Sequence, residues 1–254
     1  MQSVDADSAS GPKFCVIVPA AGRAERFGGS EKKPFAKLDG RPIFLRTLEH
    51  FTGRPDVCQT ILAVAPEDVE MVKSKYGANL GFLSIQLVAG GARRCDTVAA
   101  ALQAVSPKAA FIAIHDAARP CVTSDWIDAV FAEAVKTGAA ILAAPVYGTL
   151  KQVGDSMVID KTVTRASMFE AQTPQVFRAD ILRTAYSRLP KIGHEVTDDA
   201  ELVELSGASV SVIVSDASNI KVTTQGDIAL AAAILKSRPT KAVPRLGAFE
   251  EAQW

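Results

Sequence analysis

The 254-residue chain has no excess of either charge: 28 Lys and Arg stand against 28 Asp and Glu. General nucleic-acid binders show a basic surplus, so that class is not expected here, although a local basic pocket is still allowed. No apolar run approaches the roughly 20 residues that span a bilayer. The first stretch, MQSVDADSASGPK, is polar and acidic and lacks the basic-then-apolar pattern of a secretory signal. A soluble, cytoplasmic protein with no membrane or nucleic-acid partner is the expectation. The four cysteines, Cys15, Cys58, Cys95 and Cys121, are far apart and form no CxxC pair. That argues against a zinc site or a disulfide framework. Two nucleotide fingerprints are also missing. The chain has neither GxxxxGK[ST] nor GxGxxG after its first strand.

What is present is a set of short apolar runs rich in Val, Ile and Ala, in a chain that is 48% hydrophobic. FCVIVPA (14–20), TILAVAP (60–66), LSIQLVA (83–89), AAFIAIHD (109–116) and AAILAAP (139–145) read as strands buried on both faces of a parallel sheet. Helical patterns separate them. PIFLRTLEHF (42–51) and PEDVEMVKSKY (66–76) open with Pro42 and Pro66, and TSDWIDAVFAEAVKTG (123–138) places Ile127, Val130, Phe131 and Ala134 on one face before Gly138. This alternation predicts an α/β fold, an open sheet with helices on both sides. It breaks at 147–168, where short strands flank a turn near Gly154 and Asp155. That segment reads as a protruding β-arm whose edges a second chain would cover. Beyond it, ILRTAYSRL, DDAELVELSG and DIALAAAILKS read as helices and ASVSVIVS as a strand. One domain over 13–237 is expected, with mobile tails at 1–12 and 238–254.

Ligands of open α/β sheets bind beyond the carboxyl ends of the strands. There the chain reads VIVPAAGRAERFGGSEKKPF (16–35). Ala20, Ala21 and Gly22 allow phosphate oxygens to approach backbone N–H groups, and Arg26 and Lys33 neutralise charge. GGARRCDTV (90–98) suits recognition of a flat base by Gly90 and Gly91, or Asp96 or Thr97 simply caps the next helix. In HDAARP (115–120), Asp116 is a hard oxygen ligand for Mg²⁺ and Arg119 a bidentate phosphate partner. His115 reads as catalytic or, in preference, as orienting this loop. Lys221, in NIKVTT, is a candidate for a second anion. Asp198 and Glu201, in TDDAEL, have capping-box spacing. Cations and one metal-type carboxylate without a nucleophilic triad point to phosphoryl or nucleotidyl transfer.

The ordered set PAAGRAERF, GGARRCDTV, HDAARP, APVYGTLK, TPQVF, TDDA and NIKVT, spread between about Cys15 and Leu235, resembles the 2-C-methyl-D-erythritol 4-phosphate cytidylyltransferases of the non-mevalonate isoprenoid pathway. The resemblance implies a Rossmann-like, mostly parallel sheet of the nucleotide-diphospho-sugar transferase type, with an arm that makes a homodimer. It implies transfer of CMP from CTP to methylerythritol phosphate, a polyol phosphate, with Mg²⁺ and release of pyrophosphate. Arg26 and Lys33, or Lys32 in place of Lys33, match the residues that stabilise charge on the triphosphate. Arg165 and Lys221 match those that position the acceptor, and Thr149 and Thr173 match further substrate contacts. Thr149 and Arg165 lie on the arm and so would serve the partner's site. Asp116 matches the metal carboxylate, and Ala20, Ala21, Gly22, Gly90 and Thr97 match nucleotide contacts.

The chain departs from the family pattern in places. Ala24 stands where a second glycine is common, Glu25 precedes Arg26, and Pro34 stands where a glutamine is common. Cys95 and Thr97 replace commoner neighbours, and Gly148 stands where an acid is common. Two alternatives are therefore kept: a ribitol 5-phosphate cytidylyltransferase, and a nucleotide-binding homologue without catalysis. A nicotinamide-dependent oxidoreductase has no glycine fingerprint and no use for the cations.

Overall fold

The structure, a computed structural model, describes residues 11–22 and 33–238. In chain order it contains β1 (Phe14–Pro19), β2 (Lys37–Leu38), β3 (Arg41–Pro42), α1 (Ile43–Glu49), β4 (Val57–Val64) and α2 (Val69–Phe82). Then come β5 (Ile85–Ala89), α3 (Arg94–Leu102), β6 (Phe111–Ile114), α4 (Ser124–Thr137) and β7 (Ala139–Pro145). After the hairpin β8 (Leu150–Val153) and β9 (Ile159–Val163) follow β10 (Phe169–Arg178), α5 (Ala179–Arg188), α6 (Asp199–Leu205), β11 (Ser211–Val214) and α7 (Gln225–Ser237).

Seven strands form one sheet in the order β11-β7-β10-β6-β1-β4-β5. All neighbours are parallel except β10, which runs antiparallel to both β6 and β7. The alternation of side chains along β1 explains its unbroken apolar sequence. Phe14, Val16 and Val18 enter one core with residues of α1, α2 and α4; Cys15 and Ile17 enter the other with residues of α3, α5 and α6. Each fully buried side chain of the size of Ile17 or Phe44 stabilises the fold by about 1.5–3 kcal/mol. A third small cluster joins Leu38, Ile43, Cys121 and Val222 to Ala231 of α7.

The helix ends follow local chemistry. Thr123 accepts a hydrogen bond from Trp126 N at the start of α4, and Gly138 closes that helix at φ 89°. Asp198 caps α6 by accepting from Glu201 N, as the TDDAEL spacing predicts. The helix expected at 66–76 instead begins with a 3-10 turn over Pro66–Asp68 and continues to Phe82.

β10 is the strand that sequence periodicity does not reveal. Its interior carries Gln172, Thr173, Pro174 and Gln175, and proline within a run counts against a central strand. The ladder with β7 shifts register between Ala171 and Gln175, which accommodates the proline. The polar side chains on that stretch are buried yet bonded, as the site below shows. β8 and β9 pair only with each other, in a hairpin separate from the main sheet. Of the expected tails, only residues 11, 12 and 238 fall within the described chain. No described helix is long and apolar enough to cross a membrane.

Candidate active site

The carboxyl ends of β1, β5 and β6 release three loops toward one cleft of about 230 Å³. Ala20, Ala21, Gly22 and Thr97 line it together with Arg94, Asp116 and Lys221. A second cleft of about 200 Å³ holds Arg119, Thr173, Gln175 and Asp198. Arg94, Asp116 and Lys221 belong to both, so these three side chains form the wall between the two spaces.

The glycine loop is shaped by contact. A Cβ on Gly90 would lie 2.7 Å from Thr97 Cγ2 and 3.2 Å from Ala21 Cβ; one on Gly91 would lie 2.5 Å from Asp96 Cβ. The loop therefore packs directly on the first turn of α3. Thr97 is buried, accepts from Gly91 N at 3.1 Å and donates to Arg93 O at 3.0 Å. Asp96 accepts from Arg93 N at 3.2 Å and so caps α3. Gly90→Ala is expected to destabilise the fold by about 1–3 kcal/mol, because the methyl would press on Thr97, which is buried and held by its hydrogen bonds to Gly91 and Arg93. Thermal unfolding of the variant beside the parent chain checks this.

Asp116 is the electrostatic centre. Its Oδ2 lies 2.7 Å from Lys221 Nζ and 3.7 Å from Arg119 Nε, and its Oδ1 accepts from Arg94 Nε at 3.2 Å. Burial alone would raise this carboxyl; the charges of Arg94, Lys221 and Arg119 overcome it and hold the group well below the usual carboxylate range. The backbone around it is equally tied. Asp116 N donates to Thr173 Oγ1 at 3.0 Å, and Val222 N donates to Ala118 O at 2.8 Å. Thr173 lies within the stretch of β10 where the register with β7 shifts. Its neighbour Gln172 accepts from Ser215 Oγ and Asn219 Nδ2, fixing the loop that carries Lys221.

His115 is fully buried and both ring nitrogens are engaged. Nε2 contacts Arg119 O and Nδ1 contacts Thr173 Oγ1, each at 3.1 Å. Desolvation is the main cause that pushes its pKa down to about 3. The geometry thus favours the orienting role over a catalytic one. A consequence for stability follows. The folded pKa lies below the ordinary 6.5, so between these values the unfolded chain binds the extra proton. This contribution is complete above pH 6.5 and is lost, by about 1.4 kcal/mol per pH unit, as pH falls toward 3. Asp116, also depressed, adds acid sensitivity only below its ordinary value of 3.8. Denaturant unfolding at about pH 7 and about pH 5 should show the loss in the parent chain and a flatter dependence in His115→Gln.

The surroundings of the other sequence candidates differ. Arg119 is less available to a phosphate than its motif suggests. It is buried, Nη1 donates to Asn219 O at 2.7 Å, Nη2 reaches Ala171 O at 3.5 Å, and only Nε lacks a hydrogen bond among the described residues. Two of its five N–H groups are thus directed at backbone carbonyls, and burial limits what the others can offer a phosphate. Thr97 lines the cleft while its hydroxyl is bonded to the backbone of Gly91 and Arg93. Arg26 and the side chain of Lys33 lie outside the described residues. Thr149 and Arg165 are exposed beside the hairpin, and neither lines the two clefts of this chain; Arg165 donates to Tyr147 O. Sequence reading passed over Arg94 and Asp199. Arg94 pairs with Asp116 and, at 2.7 Å, with Asp199, which is fully buried and accepts from Tyr186 OH at 2.5 Å. The signal was present as the second arginine of GGARRCDTV and the second acid of TDDA.

A sequence model described as 2-C-methyl-D-erythritol 4-phosphate cytidylyltransferase matches residues 14–237. A protein of that name from Rhodopirellula baltica is 44% identical over 232 residues, 87% of this chain and 93% of its own. Among solved structures, the 2-C-methyl-D-erythritol 4-phosphate cytidylyltransferase of Thermus thermophilus superposes with a TM-score of 0.74 at 30% identity, covering 88% of this chain and 99% of its own. The 4-diphosphocytidyl-2C-methyl-D-erythritolsynthase of Anaerococcus prevotii gives 0.76 at 28% identity, covering 89% and 96%.

Proposed function

The chain belongs to the 2-C-methyl-D-erythritol 4-phosphate cytidylyltransferase family, and from that premise we propose how its residues carry the reaction. The enzyme transfers CMP from CTP to the phosphate of methylerythritol phosphate and releases pyrophosphate, a step of isoprenoid precursor synthesis. The observation that carries the residue assignment is the convergence of Arg94, Arg119 and Lys221 on Asp116 in the wall between two clefts.

The nucleotide occupies the cleft lined by Ala20, Ala21, Gly22 and Thr97, the last packed against the Gly90–Gly91 loop. The acceptor phosphate occupies the second cleft, beside Thr173 and Lys221. Its oxygen attacks the α-phosphorus in line, and the bond to the leaving pyrophosphate breaks. The acceptor is already an anion, so no general base is needed, in keeping with the buried, neutral His115. The chain's task is to hold two anions together and to stabilise the charge that builds on the triphosphate. Lys221 positions the acceptor, and Arg26 with Lys33 bears the leaving-group charge.

Mg²⁺ fits the donor set. Among the described residues a single carboxylate, Asp116, faces the nucleotide cleft, and no group of three or more metal-type side chains occurs. That suits a hard cation held by one carboxylate and phosphate oxygens rather than by a protein cage. Asp116 would hold it, and the ion would supply charge neutralisation and alignment of the triphosphate.

The working unit is a homodimer. The hairpin exposes Val153, Met157, Val158 and Ile159, and Tyr147, Met168 and Phe169 are exposed at its base. An isolated two-stranded ribbon with this much apolar surface calls for a partner. Thr149 and Arg165 then complete the partner's acceptor cleft. The acceptor is tested by pyrophosphate release from CTP and Mg²⁺ with methylerythritol phosphate and ribitol 5-phosphate in parallel. Release with the first alone is expected. Release with ribitol 5-phosphate alone overturns the acceptor assignment, and silence with both overturns catalysis.

A further inference from the structure

Asp198 and Asp199 are adjacent acids with opposite surroundings. Asp198 accepts from Glu201 N and from Gln175 Nε2, the duties of a helix cap. Asp199 points inward and has no exposed surface. Its backbone N donates to Gln175 Oε1 at 3.1 Å, and its Oδ1 accepts from Tyr186 OH, so β10 and α5 both fix it. Its Oδ2 takes no hydrogen bond of good geometry among the described residues. The only positive charge paired with it among those residues is Arg94 Nη1 at 2.7 Å. A carboxyl group buried in such a place is unfavourable unless polar or charged partners face it, so its presence there calls for a use.

Arg94 is stretched between two acids. Nη1 meets Asp199, Nε donates to Asp116, and Nη2 makes no hydrogen bond among the described residues. The side chain lines both clefts. Without Asp199, the guanidinium has one nearby carboxylate left. Arginine and carboxylate then favour a two-bond fork, which would cover both oxygens of Asp116 and withdraw the free N–H groups from the clefts. Asp199 pulls from the opposite side and prevents that collapse.

We propose that Arg94 is an anion-binding residue shared by the two clefts, and that Asp199 is the buried positioning residue that keeps its guanidinium there. The inference rests on the cytidylyl-transfer reading and adds to it a residue pair in the wall where the two substrates meet. Arg94 contacts phosphate of both substrates; Asp199 touches neither and acts only through Arg94.

The test is a double-mutant cycle with Arg94→Met and Asp199→Asn, measured as kcat and as KM for each substrate. Arg94→Met should lower kcat about a hundredfold, the scale of losing one donor to a developing charge. It should also raise KM for both CTP and the acceptor. Asp199→Asn keeps the shape and the acceptor for Tyr186 and should lower kcat about tenfold, as supporting residues of a charged site do. In the Arg94→Met background the same Asp199→Asn change should alter kcat by less than about twofold. Full additivity, or an Asp199→Asn enzyme with unchanged kcat and KM, would overturn the proposal. A purely structural role would move the melting temperature and leave the kinetics of the folded fraction alone. If Asp199→Asn does not fold, Arg94→Lys tests the same claim, because an ammonium cannot reach both acids. Parent-like kinetics in that variant would overturn it. Parent enzyme run alongside separates the two readings: a silent parent sinks the transfer reaction itself, an active one leaves only Arg94 and Asp199 at stake.

Discussion

Asp116→Asn should lower kcat by about 10²–10³-fold, the range seen when a site loses one element that stabilises transition-state charge. The carboxylate has two duties in this account. It is the one acid among the described residues that faces the nucleotide cleft, where it would hold Mg²⁺. It also gathers Lys221, Arg94 and Arg119 around one point. The amide keeps the shape and loses both. The direction of the KM change is diagnostic. The three cations remain, so the triphosphate is still attracted, and KM for CTP should stay level or fall. A loss confined to kcat identifies an interaction made in the transition state. Stability should fall by about 1–3 kcal/mol, since Lys221 and Arg94 are partly exposed and regain water, while buried Arg119 keeps its contacts with Asn219 O and Ala171 O. Steady-state kinetics with a denaturation curve checks both parts. A rate within a few-fold of the parent chain would remove Asp116 from the centre of the mechanism.

Mixing two inactive variants should restore activity. Arg165→Ala damages the arm, and Asp116→Asn damages the clefts. If the arm serves the partner, a heterodimer of the two has one doubly damaged site and one intact site. Random re-pairing of equal amounts should then recover about one quarter of the parent rate. The basis is positional: Arg165 and Thr149 are exposed at the hairpin and line neither cleft of their own chain. If Arg165 acts within its own subunit, no heterodimer contains an intact site and the mixture stays inactive. The experiment therefore tests dimer and arm together.

Much of this architecture is legible in the sequence for simple reasons. β1 and β7 are buried on both faces, so their apolar runs are unbroken and stand out. Thr123, Gly138 and Asp198 cap helices where local chemistry says they should. Asp116 is readable because an acid directly after an apolar strand has few structural uses. The parts that escape are those whose meaning is non-local. β10 hides because Gln172, Thr173 and Gln175 look like loop residues until their partners Ser215, Asn219, His115 and Asp198 are placed beside them. Arg94 and Asp199 look like surface charges within two helix starts; only the fold brings them together. Arg119 shows what the motif leaves out: its side chain is buried, and each terminal nitrogen already faces a backbone carbonyl, Asn219 O or Ala171 O. Arg26 and Lys33 stay where the sequence put them, as candidates for the leaving-group charge.

The central claim is that this site works by bringing two anions together under positive charge, with no base and no protein nucleophile. CTP labelled at the α-phosphorus tests it most directly, incubated with enzyme and Mg²⁺ with and without methylerythritol phosphate. The account predicts label in the methylerythritol product, matched by released pyrophosphate, when the acceptor is present. Without the acceptor it predicts unlabelled protein and no exchange of pyrophosphate back into CTP. Label bound covalently to the protein, or pyrophosphate exchange in the absence of acceptor, would show a nucleotidyl-enzyme intermediate and contradict direct transfer.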